Sequence, residues 1–80
     1  MLSVHIRYFA SLREDAGCDA ETVATDAATP VELFAEARER HAFTLTQTAC
    51  KVAINDAFAS WSTPLGDGDR VVFLPPVAGG

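Results

Sequence analysis

The residues best placed to do chemistry are the last six, Pro75, Pro76, Val77, Ala78, Gly79 and Gly80. The prolines remove backbone donors and fix φ, so a strand cannot run on through them, and the glycines give a narrow tip without side chains. Six extended residues reach on the order of 20 Å, enough to carry the α-carboxylate of Gly80 away from a folded body. The competing description is a frayed terminus that happens to hold a glycine pair. Other reactive residue types are scattered. Cys18 and Cys50 lack the CxxC spacing and neighbouring histidines of a zinc site; Cys50 is expected to pack as a small hydrophobe, and Cys18 to sit in a polar loop beside Gly17. Asp67 and Asp69 alternate with Gly66 and Gly68 but lack the calcium-loop pattern, so a tight turn is the better assignment and no metal is expected. His41 falls near a helix end, where the helix dipole gives it a structural place.

A chain of 80 residues is one domain that buries only about 60–65% of its unfolded surface, which leaves little room for an enclosed active site. With 49% hydrophobic and 21% charged residues it is globular in composition, and no apolar run approaches the roughly 20 residues needed to span a bilayer. Residues Met1 to Ala10 lack the basic start and unbroken apolar stretch of a secretory signal, so a soluble, cytoplasmic protein is expected. The net charge of −5 disfavours nucleic acid and suits a basic protein partner, although small domains are commonly acidic for solubility alone.

Positioning the tail falls to the elements before it. Leu2 to Phe9 alternates, with Leu2, Val4, Ile6 and Tyr8 predicted to face a core. That parity turns Phe9 outward, either to cover a strand edge or to form part of a partner-binding patch. Ala10 to Ala20 reads as a connection with a short helical turn at Ser11 to Asp15, and Glu21 to Ala24 as a second strand. Thr29, Pro30, Val31 and Glu32 form a helix start, with a capping threonine, proline in the first turn and glutamate three residues after the cap. The helix should run from Pro30 to about His41 on a stripe of Val31, Phe34, Ala35, Ala37 and the stem of Arg38, leaving Glu32, Glu36, Glu39 and Arg40 solvated and Glu36 paired with Arg40. Ala42 to Ala49 is polar and threonine-rich. Lys51 to Asn55 reads as a strand, Asn55 and Asp56 as a turn, and Ala57 to Ser60 as a returning strand that carries Phe58. Trp61 should close one end of the core. Arg70 to Leu74 is a short apolar run immediately before the prolines and reads as a central strand, on which Leu74 shares the outward parity of Phe9.

One helix can cover one sheet face. A helical crossing between the second and third strands lets the first and last strands lie parallel in the middle. The expectation is an α+β, ubiquitin-like β-grasp: a mixed sheet of about five strands with one main helix, a body over residues 1–74 and a flexible tail over residues 75–80. Phe9, Leu74 and Phe58 would share the uncovered face.

Several runs now carry a resemblance over nearly the whole chain: Phe9-Ala10-Ser11-Leu12-Arg13-Glu14; the Ile54-Asn55 turn; Pro64-Leu65-Gly66-Asp67-Gly68-Asp69-Arg70-Val71; and Phe73 to Gly80. The chain resembles the MoaD type of ubiquitin-like sulfur carriers, the small subunit of molybdopterin synthase. The resemblance implies that Gly80 is adenylated with ATP by an E1-like (MoeB-like) enzyme and converted to a thiocarboxylate. It also implies that a MoaE-like large subunit uses that sulfur to build the molybdopterin dithiolene, and that the chain binds no cofactor and has no catalytic residues of its own. Phe9, Phe58 and Leu74 match partner-facing positions in the family, with Pro75, Pro76, Val77, Ala78 and Gly79 entering the partners. Ala78 stands where relatives often have a hydroxyl. The same tail would serve a carrier for thiamine or transfer-RNA thiolation, or a protein modifier joined to lysines; in a plain interaction module it would be inert.

Overall fold

The computed structural model describes residues 1–76. In chain order its elements are β1 (Leu2–Tyr8), α1 (Ala10–Ala16), β2 (Ala20–Thr25), α2 (Pro30–His41), a 3-10 turn (Gln47–Ala49), β3 (Lys51–Ile54), β4 (Ala57–Ala59) and β5 (Arg70–Leu74). The sheet runs β2-β1-β5-β3-β4, with β1 and β5 parallel and the other pairings antiparallel. This is the expected β-grasp order, with the last strand inserted beside the first. No helix among the described residues is long and apolar enough to cross a membrane.

The period-2 reading of β1 holds: Val4, Ile6 and Tyr8 are buried and Leu2 is half-buried. In the parallel register Ile6 sits opposite Val71 and Tyr8 opposite Phe73, so both central strands send large side chains to the same face. Thr29 caps α2, its hydroxyl accepting from the Glu32 N–H, and Pro30 fills the first turn. Glu32 does not close the reciprocal box; its carboxylate accepts from the Ala28 N–H at 3.1 Å instead.

The stripe of α2 is rotated from the one predicted. Pro30, Leu33, Phe34 and Ala37 are buried, at i, i+3, i+4 and i+7, whereas Val31 and Ala35 are exposed. Starting the count at Val31 discards Leu33, because proline is seldom counted as a core residue. Phe34 meets Phe73 and Trp61 edge-on at 5.1 and 5.7 Å between centroids, and Trp61 stacks on Phe73 at 5.8 Å. Trp61 thus closes the core as expected.

Two further corrections concern segments read as connections. Residues 10–16 form a complete short helix with Leu12 buried, ended by Gly17 at φ 74°. The polar stretch after α2 hides a core residue: Phe43 is buried and contacts Tyr8 and Phe34 at 5.6 Å. It is held there by Arg38, whose Nε donates to the carbonyls of Phe43 and Leu45 at 3.2 and 3.1 Å.

Before β5, the Gly66–Asp69 turn is fastened by its own aspartates. Asp67 accepts from the Ser3 N–H at 2.8 Å and Asp69 from the Gly66 N–H at 2.7 Å. Asn55 of the β3–β4 turn donates to Asp69 and accepts from the Arg70 N–H, both at 3.0 Å. Asn55 and Asp56 both have positive φ, at 51° and 72°, as a two-residue hairpin with strand-matching twist requires.

The α2 core contact and its C-cap should respond oppositely to truncation. Leu33→Ala should cost about 2–5 kcal/mol, the range for emptying a buried leucine site. Ala42 ends α2 with φ at 56°, a conformation that costs an L-residue roughly 1–2 kcal/mol. Glycine relieves that strain but adds about 0.4–1 kcal/mol of unfolded-state entropy to be overcome, so Ala42→Gly should stabilise by about 0.5–1 kcal/mol. Urea denaturation of both variants checks the two signs.

Candidate functional site

Because β1 and β5 are parallel, their last paired residues, Tyr8 and Phe73, lie side by side. The chain leaves both strands at the same edge. One step further, Phe9 is extended, and its carbonyl accepts from the N–H groups of Leu12 and Arg13 at 3.1 and 3.3 Å as α1 begins. Ala10 turns the corner at φ 48°. The Phe9 ring is 39% exposed, and the Arg7 guanidinium carbon lies 5.6 Å from its centroid. Such exposed cation–π contacts are worth about 0.5–1 kcal/mol.

On the neighbouring strand Leu74 pairs with Lys51, and both point away from the core. Leu74 and Pro75 are half-buried and Pro76 is exposed. These three residues separate two open hollows. Phe9, Ala10, Ser11 and Glu14 complete one; Ala49, Lys51 and Phe58 complete the other. Phe58 lies opposite Ala53 on the outward face and is 76% exposed. Full burial of such a ring is worth roughly 1.5–3 kcal/mol, and the fold itself obtains little of it. Phe9 and Phe58 therefore flank the segment that leads to the tail, one on each side. Val77, Ala78, Gly79 and Gly80 lie outside the described residues.

Sequence reasoning did not select Ala10, Ser11, Glu14, Ala49 or Lys51. Lys51 was findable, since Val52 and Ile54 facing inward puts Lys51 on the side of Leu74. The α1 residues were not, because the helix was read only as a turn. The polar groups among these lining residues are Ser11, Glu14 and Lys51, and they do not form a nucleophile with an adjacent base. The geometry offers a strand end to a second molecule rather than a closed reaction chamber.

The strongest internal electrostatics lie behind this edge. The Glu21 carboxylate on β2 accepts from the Tyr8 hydroxyl, from Arg40 at 3.0 Å and from the His41 ring at 2.7 Å. The expected Glu36–Arg40 pair is replaced: Arg40 reaches β2, and Glu36 accepts from the Thr25 hydroxyl. Burial pushes the Tyr8 hydroxyl pKa well up, reinforced by the hydrogen bond to Glu21. For Glu21, burial works upward but is outweighed by the hydrogen bonds from Tyr8, His41 and Arg40 and by the Arg40 charge, which bring its pKa down to about 2. The cluster fixes the base of Phe9 by anchoring the residue before it. Cys50 is buried, which raises its thiol pKa, whereas Cys18 is half-buried against the core.

A carboxyl with a lowered folded-state pKa contributes stability above its unfolded value and loses it as pH falls through the folded one. The Glu21 contribution should therefore be complete above about pH 4.5 and vanish towards pH 2. Glu21→Gln should cost about 1–3 kcal/mol at neutral pH and flatten that part of the acid unfolding curve. A melting series from pH 7 to pH 2 reads both effects.

A sequence profile of the ThiS family matches residues 6–80. The chain is 39% identical over 80 residues to the molybdopterin synthase sulfur carrier subunit of Escherichia coli, covering 96% of this chain and 99% of that one. It superposes on one chain of the complex of subunits 1 and 2 of molybdopterin-converting factor from Helicobacter pylori with a TM-score of 0.68 and 31% identity. That match covers 99% of this chain and all of the other. It also superposes on SAMP1 from Haloferax volcanii with a TM-score of 0.80 and 25% identity, covering 98% and 99% of the two chains. With a profile match from the first strand to the last residue and the β-grasp order in place, the chain belongs to the ThiS family.

Proposed function

We propose that the chain is the sulfur carrier of a molybdopterin synthase in a cytoplasmic cofactor pathway. The observation that carries the reading is the full-length identity with the Escherichia coli sulfur carrier subunit. The tail base between two exposed aromatic positions supports it.

In this reading the α-carboxylate of Gly80 is the group that reacts. A carboxylate is a poor electrophile, so an E1-like enzyme first joins it to the α-phosphate of ATP, releasing pyrophosphate and leaving an acyl-adenylate. A sulfur donor then attacks the carbonyl carbon, the acyl–phosphate bond breaks, and AMP leaves with its electron pair. Sulfide gives the thiocarboxylate directly; a persulfide donor gives an acyl disulfide, and a thiol then supplies the two electrons that cleave its S–S bond and release the thiocarboxylate. The thiocarboxylate sulfur bonds to the pterin precursor in the large subunit, and water then attacks the Gly80 carbonyl carbon, breaking the C–S bond so that the sulfur stays on the pterin and the carboxylate returns. ATP belongs to the activating partner, and this chain's contribution is positioning. Pro75 and Pro76 end β5 and direct the segment outward, while Gly79 and Gly80 fit a channel that side chains would block. Phe9, Phe58 and Leu74 supply the contact that holds the carrier while Val77 and Ala78 extend into the partner. The Helicobacter pylori two-subunit complex supports a partner of the large-subunit type.

A second reading, attachment of Gly80 to lysines as a modifier, is favoured by the likeness to SAMP1. Intact mass after incubation with ATP, a sulfur source and the cognate activating enzyme separates the chemistries. The carrier reading expects replacement of one oxygen by one sulfur. An unchanged mass sinks it, and transfer to lysine side chains in lysate supports the modifier reading. For the docking role, Phe9→Lys should weaken large-subunit binding at least tenfold, because the ammonium must be desolvated at the contact, with melting temperature nearly unchanged. Wild-type affinity in that variant would remove Phe9 from the contact.

A further inference from the structure

The outward face of the sheet has the opposite charge from the chain as a whole. Strand pairing puts Ser3, His5 and Arg7 of β1 on this face, with Ala20, Thr22 and Ala24 of β2. Arg70, Val72 and Leu74 of β5, Lys51 and Ala53 of β3, and Phe58 of β4 complete it. Three of the six Lys and Arg residues are there, and none of the eleven carboxylates occupies an outward strand position. Glu21, the only acidic strand residue, points inward to Tyr8. A net charge of −5 therefore conceals a basic face. The cations surround the apolar row formed by Val72, Ala53 and Phe58.

On the β1–β2 side of that row lies a shallow hollow whose lining includes His5, Arg7, Thr22, Arg70 and Val72 together with Asp56 and with Glu21, whose carboxylate is turned inward to Tyr8. The His5 ring and the Thr22 hydroxyl are 2.8 Å apart. Arg70 contacts Asp56 at 2.8 Å, but both side chains are largely exposed. Such a pair contributes little in water, so the guanidinium can exchange Asp56 for another carboxylate. The hollow offers two guanidinium groups and a hydroxyl beside an apolar floor, a set suited to a carboxylate on a short stem.

Resting on the sulfur-carrier reading, we propose that this face docks an acidic segment of the large subunit and that a partner Asp or Glu seats between Arg7 and Arg70. The apolar row and the aromatics at the tail base supply desolvated contact, and the surrounding cations steer the approach. A basic partner, the expectation from net charge, would meet like charge here.

The test is the association rate of the full chain with the purified cognate large subunit. It is measured from about 0.01 M to about 0.15 M ionic strength, over which the Debye length shortens from about 30 to about 8 Å. The wild-type rate should fall steeply with salt. Arg7→Gln and Lys51→Gln each remove one positive charge from the face and should slow low-salt association about three- to tenfold and flatten the salt dependence. Ala35→Glu changes net charge by the same amount on exposed α2 and should stay within about twofold of wild type. Circular dichroism confirms that all three are folded. Equal slowing by all three would assign the effect to net charge, and no slowing by any would leave the face without an electrostatic role; either overturns the proposal while the carrier reading stands. A wild-type chain that does not bind the large subunit overturns both.

Discussion

The parallel pairing of β1 with β5 is the constraint on which the rest of the molecule depends. Parallel neighbours cannot be joined by a hairpin, so the chain between residues 9 and 69 must make its own way from one to the other, adding β2, β3 and β4 on either side of the pair and laying α2 over one face. The pairing also stacks Ile6 on Val71 and Tyr8 on Phe73, the floor on which α2 lays Phe34. Its second consequence is directional. Both strands end at one edge, so the chain segment at Phe9 and the segment that begins the tail emerge together. An antiparallel pairing would put them at opposite ends of the sheet.

Eighty residues supply one main helix, and one helix covers one face. The uncovered face is therefore a structural consequence of size, but its content is not. An open antiparallel edge is ordinarily lined with polar or charged residues, whereas β4 places Phe58 there, 76% exposed. The fold gains almost nothing from that ring. Its apolar surface becomes useful to stability only inside a complex, as does that of Leu74 and the exposed part of Phe9. Arginines and a lysine surround these residues, and the carboxylate paired with Arg70, that of Asp56, lies off the strands in the turn between β3 and β4.

Where strand alternation or a capping signature governed a segment, the sequence was legible. Alternation placed Val4, Ile6 and Tyr8, and the same parity turned Phe9 and Leu74 outward; Thr29 and Pro30 marked the start of α2 to the residue. What escaped was information carried between segments. Phe43 sits in a stretch that looks polar and is held in the core by Arg38, which takes its carbonyl and that of Leu45. Leu33 was lost by excluding Pro30 from the stripe. Arg40 lies four residues from Glu36, yet Glu21 across the sheet is a better partner because it also receives Tyr8 and His41. Net charge was the least informative quantity. It sums over both faces of a sheet, and the faces differ in sign.

The division of the outward face follows from these same placements. Near the tail, the contacts available to a partner are apolar and close to the segment it must receive, so they can set how long a complex lasts. Arg7 beside Phe9, Lys51 opposite Leu74 and Arg70 at the start of β5 act over several ångströms before contact and can set orientation and rate. Carrying both kinds of contact on one face has a mechanical advantage for any carrier. A partner steered by these cations arrives with the strand exit already aligned. The rigid pairing of Tyr8 with Phe73 keeps the steering groups and the exit in fixed register.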